Sequence, residues 1–234
     1  MGRKKQKRSD GFSFDFSALT FEQEAPEERE IPRLSTRPVA FENAERMVER
    51  IDYGKDYFAF VSGKFIFGDL IEALCYKKRL APSVIYLTTL GMSAENVDSI
   101  VNLVDYPGCR KVNLLVSHYF AQVEKNKLIP YMKQEFAGRP VDVAVLQSHC
   151  KIALIRSGKG NTLISGSANI SSSNNVEQFI FMHDEGTIRF VQEKLDHIME
   201  RFTLYSGAER RTNQIDWKGS TGGRAYRALT EGDA

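Results

Sequence analysis

Cysteine is scarce, with three residues (Cys75, Cys109 and Cys150) in a chain of 234. They are odd in number and widely separated, which argues against a disulfide framework or a zinc site of ligand-like spacing and suits a reducing compartment. Histidine is scarce too, with four residues, and tryptophan occurs once, at Trp217. No apolar run is long enough to cross a bilayer, and the basic N-terminus has no apolar stretch behind it. A chain neither secreted by a standard signal nor membrane-spanning is therefore expected, with a cytoplasmic location. Excess charge of one sign is also missing, since the formal net charge is +2. That small value hides an asymmetry. Arg3, Lys4, Lys5, Lys7 and Arg8 against Asp10 give the first ten residues a net of +4, so the rest of the chain carries −2. A nucleic-acid enzyme usually presents a broad basic surface, so the mildly acidic body counts against a deep DNA channel. The basic arm could still attract phosphates independently of sequence, or be a solvated tail.

The chain is long enough for one sizeable core with tails, and a 42% apolar composition is ordinary for a globular protein. Residues 1–35 combine the basic arm, the alternating Phe12, Phe14 and Phe16, and an acidic stretch cut by prolines. They predict a partly disordered arm, whose alternating phenylalanines would suit a strand added to a sheet edge. Residues 36–205 read as the folded domain. Apolar runs at 56–61, 83–88, 111–116, 141–146, 149–155, 162–166 and 177–183 predict strands. Helices are expected near 41–51 and at 67–77, 93–105, 120–136 and 186–204. Gly54 would cap the first of them. The alternation predicts an α/β fold with a mixed β-sheet flanked by helices. Residues 206–234 lose periodicity and gain glycine, as a flexible tail would.

The run Ser148-His149-Cys150-Lys151-Ile152-Ala153-Leu154-Ile155, followed by Gly166-Ser167-Ala168-Asn169, concentrates the chemistry. On a regular strand His149 and Lys151 share a face, and Cys150 points to the opposite, buried one. An imidazole, an ammonium and a turn rich in donors make a site for a tetrahedral anion. Phosphodiester hydrolysis needs a nucleophile, an acid for the leaving oxygen and donors around the phosphoryl oxygens. His149 can supply the nucleophile, and Glu177 is the best candidate to fix its tautomer. Lys151 and Asn169 would hold the non-bridging oxygens. Ser167 could donate as well or simply stabilise the turn that Gly166 begins. No carboxylate or histidine cluster of ligand spacing lies near the motif, so no metal and no cofactor is expected.

These residues resemble the core of the phospholipase D superfamily, whose His-X-Lys-X4-Asp motif is followed by Gly-Ser-X-Asn. His149, Lys151, Gly166, Ser167 and Asn169 fit it, and Glu177 falls where the family usually has a carboxylate. The motif's aspartate is replaced by Arg156. The resemblance spans roughly residues 36–204 by element order and 148–181 by motif. It implies a phospholipase D-like half-fold and a metal-independent phosphodiesterase working through a phosphohistidine. It also implies that two motifs face each other. Because His118, His183 and His197 have no lysine two residues on, a second motif would come from a two-fold homodimer.

The leading expectation is a small dimeric nuclease acting on DNA or RNA. The alternative is a catalytically impaired module of the same fold that binds nucleic acid or a partner protein, favoured by the acidic body and Arg156. A phospholipid hydrolase or transferase ranks below both, since such enzymes usually carry two motifs in a longer chain. Arg156 would sit on the opposite face from Lys151 and bear on packing more than on the catalytic pair. The loop Ser157-Gly158-Lys159-Gly160 after it reads equally as a phosphate contact or as a hairpin turn.

Overall fold

The computed structural model describes residues 36–61, 65–173 and 175–208. The expected N-terminal arm, with its alternating phenylalanines, and nearly all of the expected tail, with Trp217, lie outside them. In chain order the elements are α1 (Thr36–Glu49), β1 (Tyr57–Val61), β2 (Phe65–Ile66), α2 (Phe67–Lys77), β3 (Pro82–Thr89), α3 (Ala94–Asp105), β4 (Val112–Ser117) and α4 (His118–Val123). They continue with α5 (Leu128–Phe136), β5 (Val141–Leu146), β6 (Ile152–Ser157), β7 (Thr162–Gly166), β8 (Ser172–Ser173), β9 (Glu177–Met182), α6 (Glu185–Phe202) and β10 (Thr203–Ser206).

Eight strands form one sheet in the order β1-β9-β7-β6-β3-β4-β5-β10, and β2 pairs with β8 separately. β3, β4 and β5 are parallel, as their helical crossovers require. β6, β7 and β9 are joined without helices and run antiparallel, which makes the sheet mixed. The fold is thus the expected α/β architecture. Apolar residues alternate along each central strand between two helical layers. Ile85, Leu87, Val143, Val145, Ala153, Ile155 and Ile164 join the large core shared with α1, α2, α3 and α5. Tyr86, Ala144, Leu154 and Leu163 face the other way, under Ile188, Leu195 and Met199 of α6. Burying a side chain on each face in turn is what a covered sheet demands of nearly continuous apolar strands.

Several elements depart from the periodicity. The expected helix over 120–136 is two, α4 and α5, broken at Glu124–Lys127. Gly54 lies beyond the end of α1, in a turn with φ +89. α6 starts at the Asp184 N-cap, whose carboxylate accepts from the Thr187 N–H at 2.7 Å. It ends at Phe202, earlier than its apolar stripe suggests, because β10 peels away to pair antiparallel with β5. Gly207, which reads as tail in the sequence, is wedged against the chain. A Cβ there would lie 2.1 Å from the Phe136 carbonyl oxygen. Its own N–H and carbonyl bond to Val141 and Gly138, each at 2.8 Å.

Candidate functional site

The expected strand from His149 does not begin there. Ser148 Oγ accepts the Cys150 N–H at 3.1 Å, closing a tight local turn. The ladder starts at Ile152, whose N–H donates to Thr88 Oγ1 at 2.8 Å. His149 and Cys150 are consequently exposed, and Lys151 is half-buried. Cys150, expected on the buried face, is instead on the surface, because the strand alternation that would bury it starts two residues later. Lys151 Nζ donates back to the His149 carbonyl at 3.0 Å. This contact holds the ammonium beside the backbone that carries the imidazole.

The second half of the motif lies across the ladder. Ile152 pairs with Ser165, and the Gly166 N–H donates to the Lys151 carbonyl at 3.1 Å. Gly166 has no room for a side chain, since a Cβ would lie 2.5 Å from both the Gln178 carbonyl oxygen and the Phe179 ring. Ser167 exchanges hydrogen bonds with β9. Its N–H donates to the Gln178 carbonyl and its hydroxyl accepts the Gln178 N–H, both at 3.1 Å. The same hydroxyl donates to Glu177 Oε2 in a short hydrogen bond. Among the described residues no hydrogen bond reaches the His149 imidazole, so its pairing with Glu177 stays an expectation. Asn169 Oδ1 accepts the Leu90 N–H at 3.2 Å. A backbone donor can only meet the amide oxygen, so the Nδ2 end is the one left to donate to an anion.

These residues share one end of the sheet. Leu90, Ser117 and Gln147 stand at the carboxyl ends of β3, β4 and β5, where ligands bind in open α/β sheets. β6 and β9 begin at this end and β7 finishes there. An open cleft of about 520 Å³ runs beside His149, walled by Leu90, by Ser117 to Tyr119 and Gln122 of α4, and by Gln147 and Ser148.

A polar layer beneath it was not singled out in the sequence. Thr89 Oγ1 donates to the Gly91 carbonyl at 2.6 Å and accepts the Ile170 N–H at 3.3 Å. Asn96 Nδ2 holds the Ile170 carbonyl at 2.8 Å. Ser117 Oγ donates to the Leu90 carbonyl at 2.7 Å and caps α4 by accepting the Phe120 N–H. Thr88, Thr89, Asn96 and Ser117 are all buried. For Thr88, Thr89 and Ser117 the signal was present as polar residues closing otherwise apolar strands, a position that reads as functional support in α/β sheets. Asn96 lies in the first turn of α3 and carried no such signal.

Arg156 lies at the far end of β6, about 16 Å along the chain from Lys151 at about 3.3 Å per residue. It shares its face with Leu154, under α6, and pairs with Glu185 at 2.8 and 3.0 Å. The loop that follows is the β6–β7 hairpin, closed by Ser157, Gly160 and Asn161 and remote from His149. A separate cleft of about 470 Å³ lies between α6 and the β4–β5–β10 edge. It contains none of the motif residues. Among the described residues no cluster of three or more metal-ligating side chains is present, and no helix is long and apolar enough to cross a membrane.

No family model matches the sequence, and no curated protein matches it. Solved structures do. NucT from Helicobacter pylori is 15% identical and aligns over 64% of this chain and 99% of its own, with a TM-score of 0.46. TrmBL2, an archaeal chromatin protein, is 16% identical over 71% of this chain and 60% of its own, with a TM-score of 0.41. Nuc from Salmonella typhimurium, a phospholipase D family member, is 11% identical over 64% of this chain and 95% of its own, with a TM-score of 0.47. The chain is similar to these proteins at a level that leaves its functional reading to the residues around His149.

Proposed function

We propose that the chain is a metal-independent phosphodiesterase that cleaves DNA or RNA as a homodimer. One observation carries the reading. His149 and Lys151 occupy adjoining positions at the sheet end where Gly166, Ser167 and Asn169 are anchored, beside an open cleft.

In this reading a His149 imidazole nitrogen attacks phosphorus as the bond to the leaving oxygen breaks, and the leaving oxygen takes a proton. Lys151 neutralises the non-bridging oxygens, and Asn169 Nδ2 donates to them. Water then cleaves the N–P bond, releasing the phosphomonoester and restoring the imidazole. One histidine cannot attack on one side and protonate on the other in the same step. The second is assigned to the partner's copy across a two-fold axis, where an isologous contact brings the same residue from each chain. Glu177 is assigned to orient His149 once substrate is bound, exchanging its present Ser167 partner.

Hydrolysis of bis(p-nitrophenyl) phosphate in EDTA tests the reading. Turnover that persists in chelator and disappears in His149→Ala is expected. Activity that needs added magnesium, or that survives the substitution, overturns it. Retardation of DNA or RNA without cleavage would select the alternative, a binding module of the same fold.

A further inference from the structure

The cleft beside His149 differs in chemistry from the motif that borders it. None of its lining residues is a lysine or arginine. Tyr119, on the first turn of α4, is 70% exposed although it sits on a wall of the cleft. Leu90 supplies a second apolar surface, and Gln122 and Gln147 supply carboxamides. The Gln122 amide nitrogen lies 3.4 Å from His118 Nε2. An amide nitrogen only donates, so the ring nitrogen is the acceptor there and Gln122 Oε1 is turned away, open to another donor.

A second phosphate would find no lysine or arginine in this cleft, and an acyl chain would leave the carboxamides unpaired. A flat heterocycle with both donors and acceptors on its edge suits all of these groups. It can stack on the phenol ring and exchange hydrogen bonds with carboxamides, which carry a donor and an acceptor each. The volume of about 520 Å³ lies within the span of small-molecule sites, about 300–1,000 Å³. We infer that this cleft is a nucleobase subsite in which Tyr119 stacks an unpaired base flanking the scissile phosphate, with Gln122 and Gln147 facing its edge.

The inference rests on the proposed phosphodiesterase reading for the position of the phosphate, but it is tested by binding alone. The probe is a short single-stranded DNA carrying 2-aminopurine, titrated into the full chain bearing His149→Ala so that nothing is cleaved. The expected result is quenching on binding. Adding Tyr119→Ala should weaken binding about tenfold, in line with about 1–3 kcal/mol for a base stacked on an aromatic side chain, and abolish the quench. Tyr119→Phe should preserve both. An oligonucleotide abasic at the probe position should bind the parent and the Tyr119→Ala chain equally. Identical quenching and affinity with and without the Tyr119 ring would overturn the subsite, even if the wild-type chain cleaves DNA. Quenching that depends on Tyr119, together with a wild-type chain that cleaves no phosphodiester, would uphold the subsite and reject the enzymatic reading.

Discussion

One guanidinium nitrogen of Arg156, Nη1, donates to both carboxylate oxygens of Glu185, at 2.8 and 3.0 Å. Asn161 Nδ2 donates to the same carboxylate at 2.9 Å. Arg156 stands where the resembled motif has an acid, and its partner is the first residue of α6. The ion pair therefore ties the end of β6 and its hairpin to the start of the helix covering that face. The departure from the motif is compensated locally, far from the proposed phosphate site.

Reverting Arg156 to the motif's acid is accordingly expected to harm the fold and not the chemistry. Arg156→Asp sets a carboxylate against Glu185 and should lower Tm. Combining it with Glu185→Arg should recover part of the loss. Arg156, with Asn161 second, holds the Glu185 carboxyl below the usual glutamate range. A carboxyl depressed in the folded state stabilises above its unfolded value, about 4.3, and loses that contribution as pH falls through its lowered folded value. The Tm gap between wild type and Glu185→Gln should thus be full above about pH 5 and close at lower pH. Hydrolysis in the Arg156→Asp chain below its Tm should match wild type. A large loss of turnover with unchanged melting would place Arg156 in the chemistry after all.

Asn169 is expected to separate structural from electrostatic roles. Asn169→Asp keeps the acceptor for the Leu90 N–H but replaces the donor end with negative charge beside the anion. Turnover should fall about 10²-fold or more, the usual cost of losing one preorganised donor. The denaturant midpoint should hardly move. If Asn169→Asp keeps wild-type kcat/KM, Asn169 only anchors Leu90.

The three thiols should react in an order set by exposure. Cys150 is exposed. Burial pushes Cys75 up to about 12 and Cys109 up to about 11, so neither is appreciably thiolate at neutral pH. Iodoacetamide at neutral pH should label Cys150 first by peptide mass analysis. The adduct, between His149 and Lys151, should block hydrolysis, and Cys150→Ser should be active and resistant. Labelling of Cys75 ahead of Cys150 in the folded chain would contradict this arrangement.

Mixing His149→Ala chains with wild type probes the dimer. If each site takes its nucleophile from one chain and its acid from the other, heterodimers should lose most of their activity and total turnover should drop below that of the wild-type fraction alone. Light scattering that finds an active monomer would require another proton donor.

Much of the architecture was legible because burial on both faces of a sheet leaves unbroken apolar runs. α2, β5 and β7 fall where the periodicity puts them, and the helices between β3, β4 and β5 force those strands parallel. The motif residues were legible for a different reason. The chemistry proposed for them depends on residue type and spacing, and Gly166 is required where Gln178 and Phe179 approach so closely.

What the sequence could not set was decided by partners distant along the chain. Whether His149 begins a strand depends on Thr88, which takes the Ile152 N–H, and on Ser148, which captures the Cys150 N–H; Cys150 is exposed as a result. The end of α6 depends on β5, whose free edge draws Thr203–Ser206 out of a helical pattern that could have run on. The cleft beside His149 joins Leu90, Tyr119, Gln122 and Gln147 from three separate strand ends. Apart from the local Ser148–Cys150 turn, each of these outcomes rests on a hydrogen bond or contact between residues far apart in the chain, and local periodicity records only what a segment can bury, not which neighbour will complete it.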